Sequence, residues 1–271
     1  MPRSHDQDLS DAIAAALDAI RAGDAGDVAR LLDAMPELAH AEVQNGTSLL
    51  DEGLNLAGCF DRVELVHVLL GAGARVESRG TAGITALQSA IYHGSRAAAD
   101  VLAAVQLVPD APWVAAGAGH VDRLERFADG AGGLVADAYR DRPNPADVGW
   151  LQRLPARPVA QDVLDEALVH AAQNERVAAV EWLLARGANP NAGPYQGCGA
   201  LHLAAAFGAI ESVRLLVTAG ADVDRRNEFN HDNAVGWAQY ALDRERPGDP
   251  GVTAVIEYLR GLGSRPAIWG A

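Results

Sequence analysis

Apolar residues along this chain occur in short runs with helical spacing, and the runs are separated by glycines and polar turns. The clearest unit occupies residues Gly199–Asp224 and contains two such runs. In the first run, Leu201, Ala204 and Ala205 fall on one helical face, and Gly208 follows where a helix would end. The pattern therefore predicts two short antiparallel helices followed by a turn.

The same unit recurs along most of the chain. Each copy has an apolar first segment, and several copies end in a Gly-Ala turn after a leucine-rich second segment. The copies begin near Gly46, Gly83, Trp113, Glu166, Gly199 and Asn233. Segments 11–22 and 27–32 add a helix pair at the N-terminus. We predict about seven helix-turn-helix units, enough for a stack in which neighbours bury one another's apolar faces.

The unit resembles an ankyrin repeat. Residues Gly199–Ala205 are similar to the opening motif Thr-Pro-Leu-His-x-Ala, and Asn233–Ala238 resemble the Thr-Pro-Leu-Gly-Trp-Ala variant of bacterial ankyrin proteins. The resemblance implies an all-α ankyrin-repeat solenoid whose concave face, made of turn tips and first helices, binds partners. Abundant Ala, Gly and Arg without any Lys suggests a bacterial coding sequence of high GC content.

We expect a single domain over residues 1–271, divided into an N-terminal cap pair (11–42), repeats (43–127 and 162–260), an irregular insertion (128–161) and a tail (261–271). Four prolines exclude a long helix from the insertion, although Asn144 and Pro145 could start a short one. A loop of this length is usually functional or mobile. The copy at Gly46 carries about five extra residues, so we expect its first helix to be extended or bulged. In the last copy, the polar stretch 244–250 is expected to displace the second helix to about residues 252–259.

Composition excludes several classes of function. The chain has 22 Lys+Arg against 36 Asp+Glu and a formal net charge of −14, which argues against a nucleic-acid partner. Because there is no lysine, Schiff-base chemistry and the Gly-Lys-Ser/Thr phosphate loop are excluded. No apolar run approaches a membrane span, and the two cysteines have no metal-ligand spacing. We expect a cytoplasmic protein with no cofactor, no metal and no membrane partner.

Candidate binding residues follow from the expected concave face. Aromatic side chains give rigid contact area and amides fix orientation, so we assign recognition to Tyr92, His93, Trp113, Gln173, Asn174, Phe207, Trp237 and Tyr240. Any one of them could instead be a neighbour-packed helix residue. Trp113, Trp150 and Trp237 could also line an apolar pocket beneath the insertion or fill gaps between repeats.

Candidate acid/base residues are Asp51, Glu52, His93 and Tyr240. Asp51 and Glu52 could perform general acid/base work if burial raised one pKa, or they could be solvated acids at a helix N-terminus. The motif histidine His202 is expected to hydrogen-bond between repeats. His170, one position beyond the motif place, could do the same or could act as a ligand or base. His231 belongs to a polar turn.

Two hypotheses remain open. The first is a protein-interaction module that binds a partner on the concave face. Because this chain is acidic, it favours a partner with a basic surface. The second is a small-molecule binder or cofactor-independent acid/base enzyme, such as an isomerase, cyclase or lyase, whose pocket is covered by the insertion. An ordered insertion over an enclosed polar cavity would favour the second.

Overall fold

A computed structural model of the protein describes residues 5–44, 46–80, 83–106, 108–128, 138 and 159–266. The chain divides into two compact units, Met1–Val108 and Pro109–Ala271. The expectation of a single domain over residues 1–271 stays a prediction.

The first unit consists of three helix pairs and a small antiparallel hairpin. The hairpin pairs β1 (Glu42–Gln44) with β2 (Thr47–Ser48). The helices, in chain order, are α1 (His5–Ala22), α2 (Ala25–Ala34), α3 (Leu49–Cys59), α4 (Val63–Gly71), α5 (Ala86–Tyr92) and α6 (Arg96–Val105).

The second unit contains four helix pairs. They are α7 (Pro112–Ala118), α8 (Val121–Leu124), α9 (Ala160–Gln173), α10 (Val177–Ala185), α11 (Ala200–Ala206), α12 (Ile210–Thr218), α13 (Ala234–Tyr240) and α14 (Pro250–Gly261). The described residues thus form seven helix pairs, which confirms the predicted all-α solenoid of about seven units.

Buried alanines bring the first helices of the second unit together. Helices α7, α9, α11 and α13 pack against one another in that order. At each of the first three, two consecutive alanines are completely buried: Ala115 and Ala116, Ala171 and Ala172, and Ala204 and Ala205. Because a methyl group is the smallest side chain that still excludes water, these helices approach closely with little core volume to fill.

Two lengths deviate from the regular unit. Helix α3 has 11 residues whereas α5 and α11 have 7, which confirms the expected extension of the early repeat. Helix α9 has 14 residues, an extension that the sequence pattern did not indicate. Helix α14 covers the displaced second helix expected near residues 252–259.

Most of the irregular insertion at 128–161 lies outside the described residues. That part includes the short helix expected at Asn144 and Pro145, and it includes Trp150. A role for the insertion as a pocket cover stays a prediction.

Candidate functional site

An apolar pocket of about 380 Å³ lies in the second unit, between α11, α13 and the turn that joins α12 to α13. This volume is at the lower end of the range for small-molecule pockets. Four aromatic side chains contribute to its walls, namely Phe207, Phe229, Trp237 and Tyr240. The chain has only four phenylalanines, so half of them lie at this pocket.

One wall is the end of α11. Leu203 and Ala206 line the pocket about one helical turn apart, and Phe207 caps the helix with its backbone N–H donating to the Leu203 carbonyl at 3.0 Å. Gly208 follows with a φ of +66°, where an added Cβ would lie 2.6 Å from the Val252 nitrogen. Glycine is therefore needed here both for the left-handed turn and for the close approach of α14.

A second wall is the turn Asn227–Asp232. The turn is closed by the Asn227 N–H, which donates to the Asp232 carbonyl at 3.0 Å. The Asn227 side chain accepts from the Asn230 backbone N–H at 2.8 Å. These bonds hold Phe229 at the tip, where 54% of its surface is exposed.

Trp237 joins the turn to α13. Its indole Nε1–H donates to Asn230 Oδ1 at 3.2 Å, and its ring meets the His202 imidazole edge-on with centroids 6.2 Å apart. Burial lowers the pKa of His202 to about 4, so the imidazole is neutral near pH 7. His202 thus supports the Trp237 ring from inside the repeat stack.

The last wall is a single π-helical turn, Ala241–Glu245, which continues directly from α13. Its defining bond is donated by the Arg246 N–H to the Ala241 carbonyl at 2.7 Å. Ala241 and Glu245 both line the pocket, and Tyr240 stands before them with 61% of its surface exposed. Single π turns are rare and often mark functional sites.

Three of the predicted binding residues, Phe207, Trp237 and Tyr240, are therefore brought together. Trp113 is not part of this pocket, since it is buried in the second unit with its ring centroid 5.1 Å from that of His170. Gln173 and Asn174 are only 2% and 1% exposed, and Asn174 Nδ2 donates to the His170 carbonyl at 2.9 Å. Both amides are therefore buried within the second unit, and a binding role for them stays a prediction.

The aromatic pair at the end of α5 lies in the first unit. Tyr92 is buried, and His93 Nδ1 lies 2.9 Å from the Ser89 carbonyl oxygen. Their rings meet edge-on, with centroids 5.3 Å apart. Burial lowers the pKa of His93, against the opposing effect of its hydrogen bond to Ser89. A binding role for Tyr92 and His93 stays a prediction.

Several hydrogen bonds fix the side chain of Asp51. It is buried near the start of α3 and accepts from the Arg75 backbone N–H at 2.8 Å and from Arg75 Nε at 2.9 Å. Burial alone raises the pKa of Asp51, but the hydrogen bonds from Arg75 and from nearby serines outweigh it, and the net pKa is lowered. A carboxylate held in its ionised form this way is poorly suited to donate a proton. Glu52, its neighbour, is half-buried.

Sequence reasoning missed several lining residues, above all Phe229, Asn230 and Glu245. Phe229 had a signal, because it is a large apolar residue in the otherwise polar stretch 224–233. Glu245 had none, since the π turn that directs it to the pocket follows from packing and not from a local motif.

The described residues contain no group of three or more His, Cys, Asp or Glu side chains arranged to hold a metal ion. Cys59 and Cys198 are free thiols. Burial raises the pKa of Cys59 to about 11 and that of Cys198 to about 12, so neither is a reactive thiolate near pH 7. Among the helices of the described ranges, none combines the length and apolar character of a membrane span.

Comparisons with known proteins agree with this architecture. Residues 144–227 match the family model described as ankyrin repeats (3 copies). The B-cell lymphoma 3 protein homolog of Mus musculus is 31% identical over 233 residues, covering 85% of this chain and 46% of the mouse protein. The chain therefore spans about half the length of that relative.

A solved structure, the human ASB11 ankyrin repeat domain, aligns with 89% of this chain and 95% of its own at 23% identity. Its TM-score of 0.36 is too low to support a comparison of site geometry. The match to the family model, the curated relative and the seven helix pairs agree with one another. The chain contains ankyrin repeats, which the family model places at residues 144–227.

Proposed function

We propose that this chain is a protein-interaction module that binds its partner polypeptide at the aromatic pocket between α11 and α13. Ankyrin repeats are generally protein-interaction modules, which supports the class of function. The proposed location of the binding site is supported by the exposure of Phe229 (54%) and Tyr240 (61%) beside a pocket of about 380 Å³. Large aromatic side chains that border an open apolar pocket are typical of binding surfaces.

The geometry also explains how the surface stays formed without a partner. Phe229 is fixed by the hydrogen-bonded turn around Asn227, and Trp237 is fixed by its bond to Asn230. A preorganised surface loses little conformational entropy when it binds. These rigid contacts favour a pocket that binds side chains of a partner.

The experiment compares truncation of exposed aromatic side chains at the pocket with truncation of one outside it. Phe229 and Phe60 are both 54% exposed, but Phe60 follows α3 in the first unit, away from the pocket residues in sequence. Proteins bound by the wild-type chain, by Phe229→Ala with Tyr240→Ala, and by Phe60→Ala are identified after affinity capture from the native host.

We expect the double variant to lose a specific captured protein and Phe60→Ala to retain it. Thermal unfolding serves as the control, because truncation of exposed side chains should change stability by no more than about 0.5 kcal/mol. Equal capture by all three proteins would show that the pocket is not the binding site.

A further inference from the structure

We propose that the pocket receives the guanidinium group of an arginine side chain from a basic partner segment. This inference rests on the proposed function and adds the chemistry of the bound group. It starts from one contact in the chain itself. The Cζ atom of Arg246 lies over the Phe207 ring, 4.5 Å from the ring centroid.

That contact shows that a guanidinium can stack on the Phe207 ring, and Arg246 itself occupies the face that it covers. Arg246 also lies 3.9 Å from the Asp249 carboxylate, so its charge is balanced while it stacks. A flat, weakly hydrated cation placed on an aromatic face is attracted by the ring quadrupole. The pocket offers the same two elements to a guest, namely aromatic faces and a carboxylate.

The carboxylate is that of Glu245, which is the one charged side chain among the pocket residues. A guest with only apolar atoms would cover part of the exposed Glu245 side chain without giving its carboxylate a partner, which costs free energy. An arginine supplies N–H donors to this carboxylate and a planar face to the rings. A lysine is more strongly hydrated and has no planar face, so it should fit less well.

The charge of the whole chain supports a basic partner. Its formal net charge is −14, and the turn and the π segment that border the pocket carry the exposed acids Glu228 and Asp243 together with the exposed Arg244. A negative surface attracts basic segments and raises their rate of encounter. Long-range attraction alone is not specific, so the test must localise the bound group.

The test uses three short peptides, acetyl-Ala-Arg-Ala-amide and its citrulline and norleucine analogues, with the full chain labelled with ¹⁵N. The Trp237 indole N–H resonance, assigned with Trp237→Phe, reports binding at the pocket. Titrations are run at about 150 mM salt, where surface charges are largely screened. We expect saturable shifts of this resonance with the arginine peptide and roughly tenfold weaker binding of both analogues.

Variants separate the two contributions. Phe207→Leu keeps the apolar volume and Glu245→Gln keeps the shape, and each should weaken arginine binding by roughly fivefold. Phe229→Leu replaces an exposed ring and should also weaken arginine binding, and Phe60→Leu, at the same 54% exposure, is the matched control that should bind normally. Thermal unfolding is recorded for each protein.

The inference is overturned if the norleucine peptide binds as tightly as the arginine peptide, or if arginine shifts resonances that do not include that of Trp237. In either case, loss of a captured protein by the Phe229→Ala and Tyr240→Ala variant would leave the proposed function intact. Conversely, arginine binding at Trp237 together with unchanged protein capture would contradict only the proposed function.

Discussion

Tyr195 Oη lies 2.8 Å from His170 Nε2 and donates a hydrogen bond to Glu166 Oε1 at 3.1 Å. The three side chains are buried in the second unit. A phenol has one hydrogen to donate, so Tyr195 accepts from His170 and the imidazole carries its proton on Nε2. Burial lowers the pKa of His170 to about 3, so the ring remains neutral in the folded protein near pH 7.

The first prediction removes the shared hydroxyl. Tyr195→Phe should lower the free energy of unfolding by about 1–3 kcal/mol, because a buried hydrogen bond is lost by both Glu166 and His170. Urea unfolding followed by circular dichroism measures the change. Tyr240→Phe is the control, since its ring is exposed and its stability should match the wild type. Equal stability of both variants would rule out a stabilising role for the Tyr195 hydroxyl.

The second prediction concerns pH. The folded pKa is about 3 for His170 and about 4 for His202, against an ordinary value of 6.5. Unfolding therefore takes up protons below pH 6.5, so stability is complete above that pH and decreases as the pH falls. As the pH falls from 6 to 4.5, each histidine should lower the free energy of unfolding by about 1.4 kcal/mol per pH unit.

Unfolding by urea at a series of pH values tests this dependence. His202→Gln should reduce the slope by roughly a third to a half, because it removes one of the three histidines, with His93 and His170, whose pKa is lowered by burial. His67→Gln is the matched control, since His67 is exposed and its replacement should leave the slope unchanged. A slope that is the same in His202→Gln as in the wild type would contradict the role of that histidine.

The third prediction compares two equivalent carboxylates. Asp51 accepts from the backbone of Arg75 and Asp165 from that of Asn189, each 24 residues later in the chain. Burial raises the pKa of Asp165, and its hydrogen bonds to Asn189 and Gln161 offset this only in part. The pKa of Asp51 is lowered because a guanidinium adds its hydrogen bonds.

Asp51→Asn should therefore destabilise the chain more than Asp165→Asn. We expect Asp51→Asn to lower the free energy of unfolding by about 1–2 kcal/mol, and Asp165→Asn to lower it less. The loss at Asp51 is limited because its partner Arg75 is largely exposed. Thermal and urea unfolding at pH 7 give both values. Arg75→Gln is a second variant, and it should bring the Asp51 pKa back towards its ordinary value. The reverse order of the two losses would argue against this account.

The fourth prediction uses two glycines with positive φ. Gly208 has a φ of +66° and no space for a side chain, whereas Gly220 has a φ of +90° and nothing within 4 Å of an added Cβ. Gly220→Ala should cost about 1–2 kcal/mol for the left-handed backbone alone. Gly208→Ala should cost about 2–5 kcal/mol, because α14 must also move away.

Both glycine variants are compared by thermal unfolding. The same loss at both positions would mean that the close approach of α14 to Gly208 contributes nothing to stability. Because Gly208 directly follows Phe207, ¹⁵N spectra of Gly208→Ala should also show a displaced Trp237 indole resonance, whereas those of Gly220→Ala should not.

The sequence by itself determined the repeat. Alanines such as Ala204 and Ala205 recur at helical spacing before a turn glycine, and this local periodicity specifies which face of each helix is buried. It also predicted the long first helix α3 and the location of α14. Phe207 and Tyr240 could be selected from the sequence because each lies near the end of its repeat's first helix, and Trp237 could be selected as a large aromatic ring in a chain with few of them.

The tertiary structure alone decided which polar and aromatic side chains face solvent. Gln173 occupies a position equivalent to that of Ala206, but only Ala206 lines the pocket, because Gln173 is enclosed by its neighbours in the stack. Glu245 reaches the pocket through a π turn, and Phe229 through a hydrogen-bonded loop. Local periodicity specifies a helix and its buried face, whereas exposure depends on what the neighbouring repeat places against it.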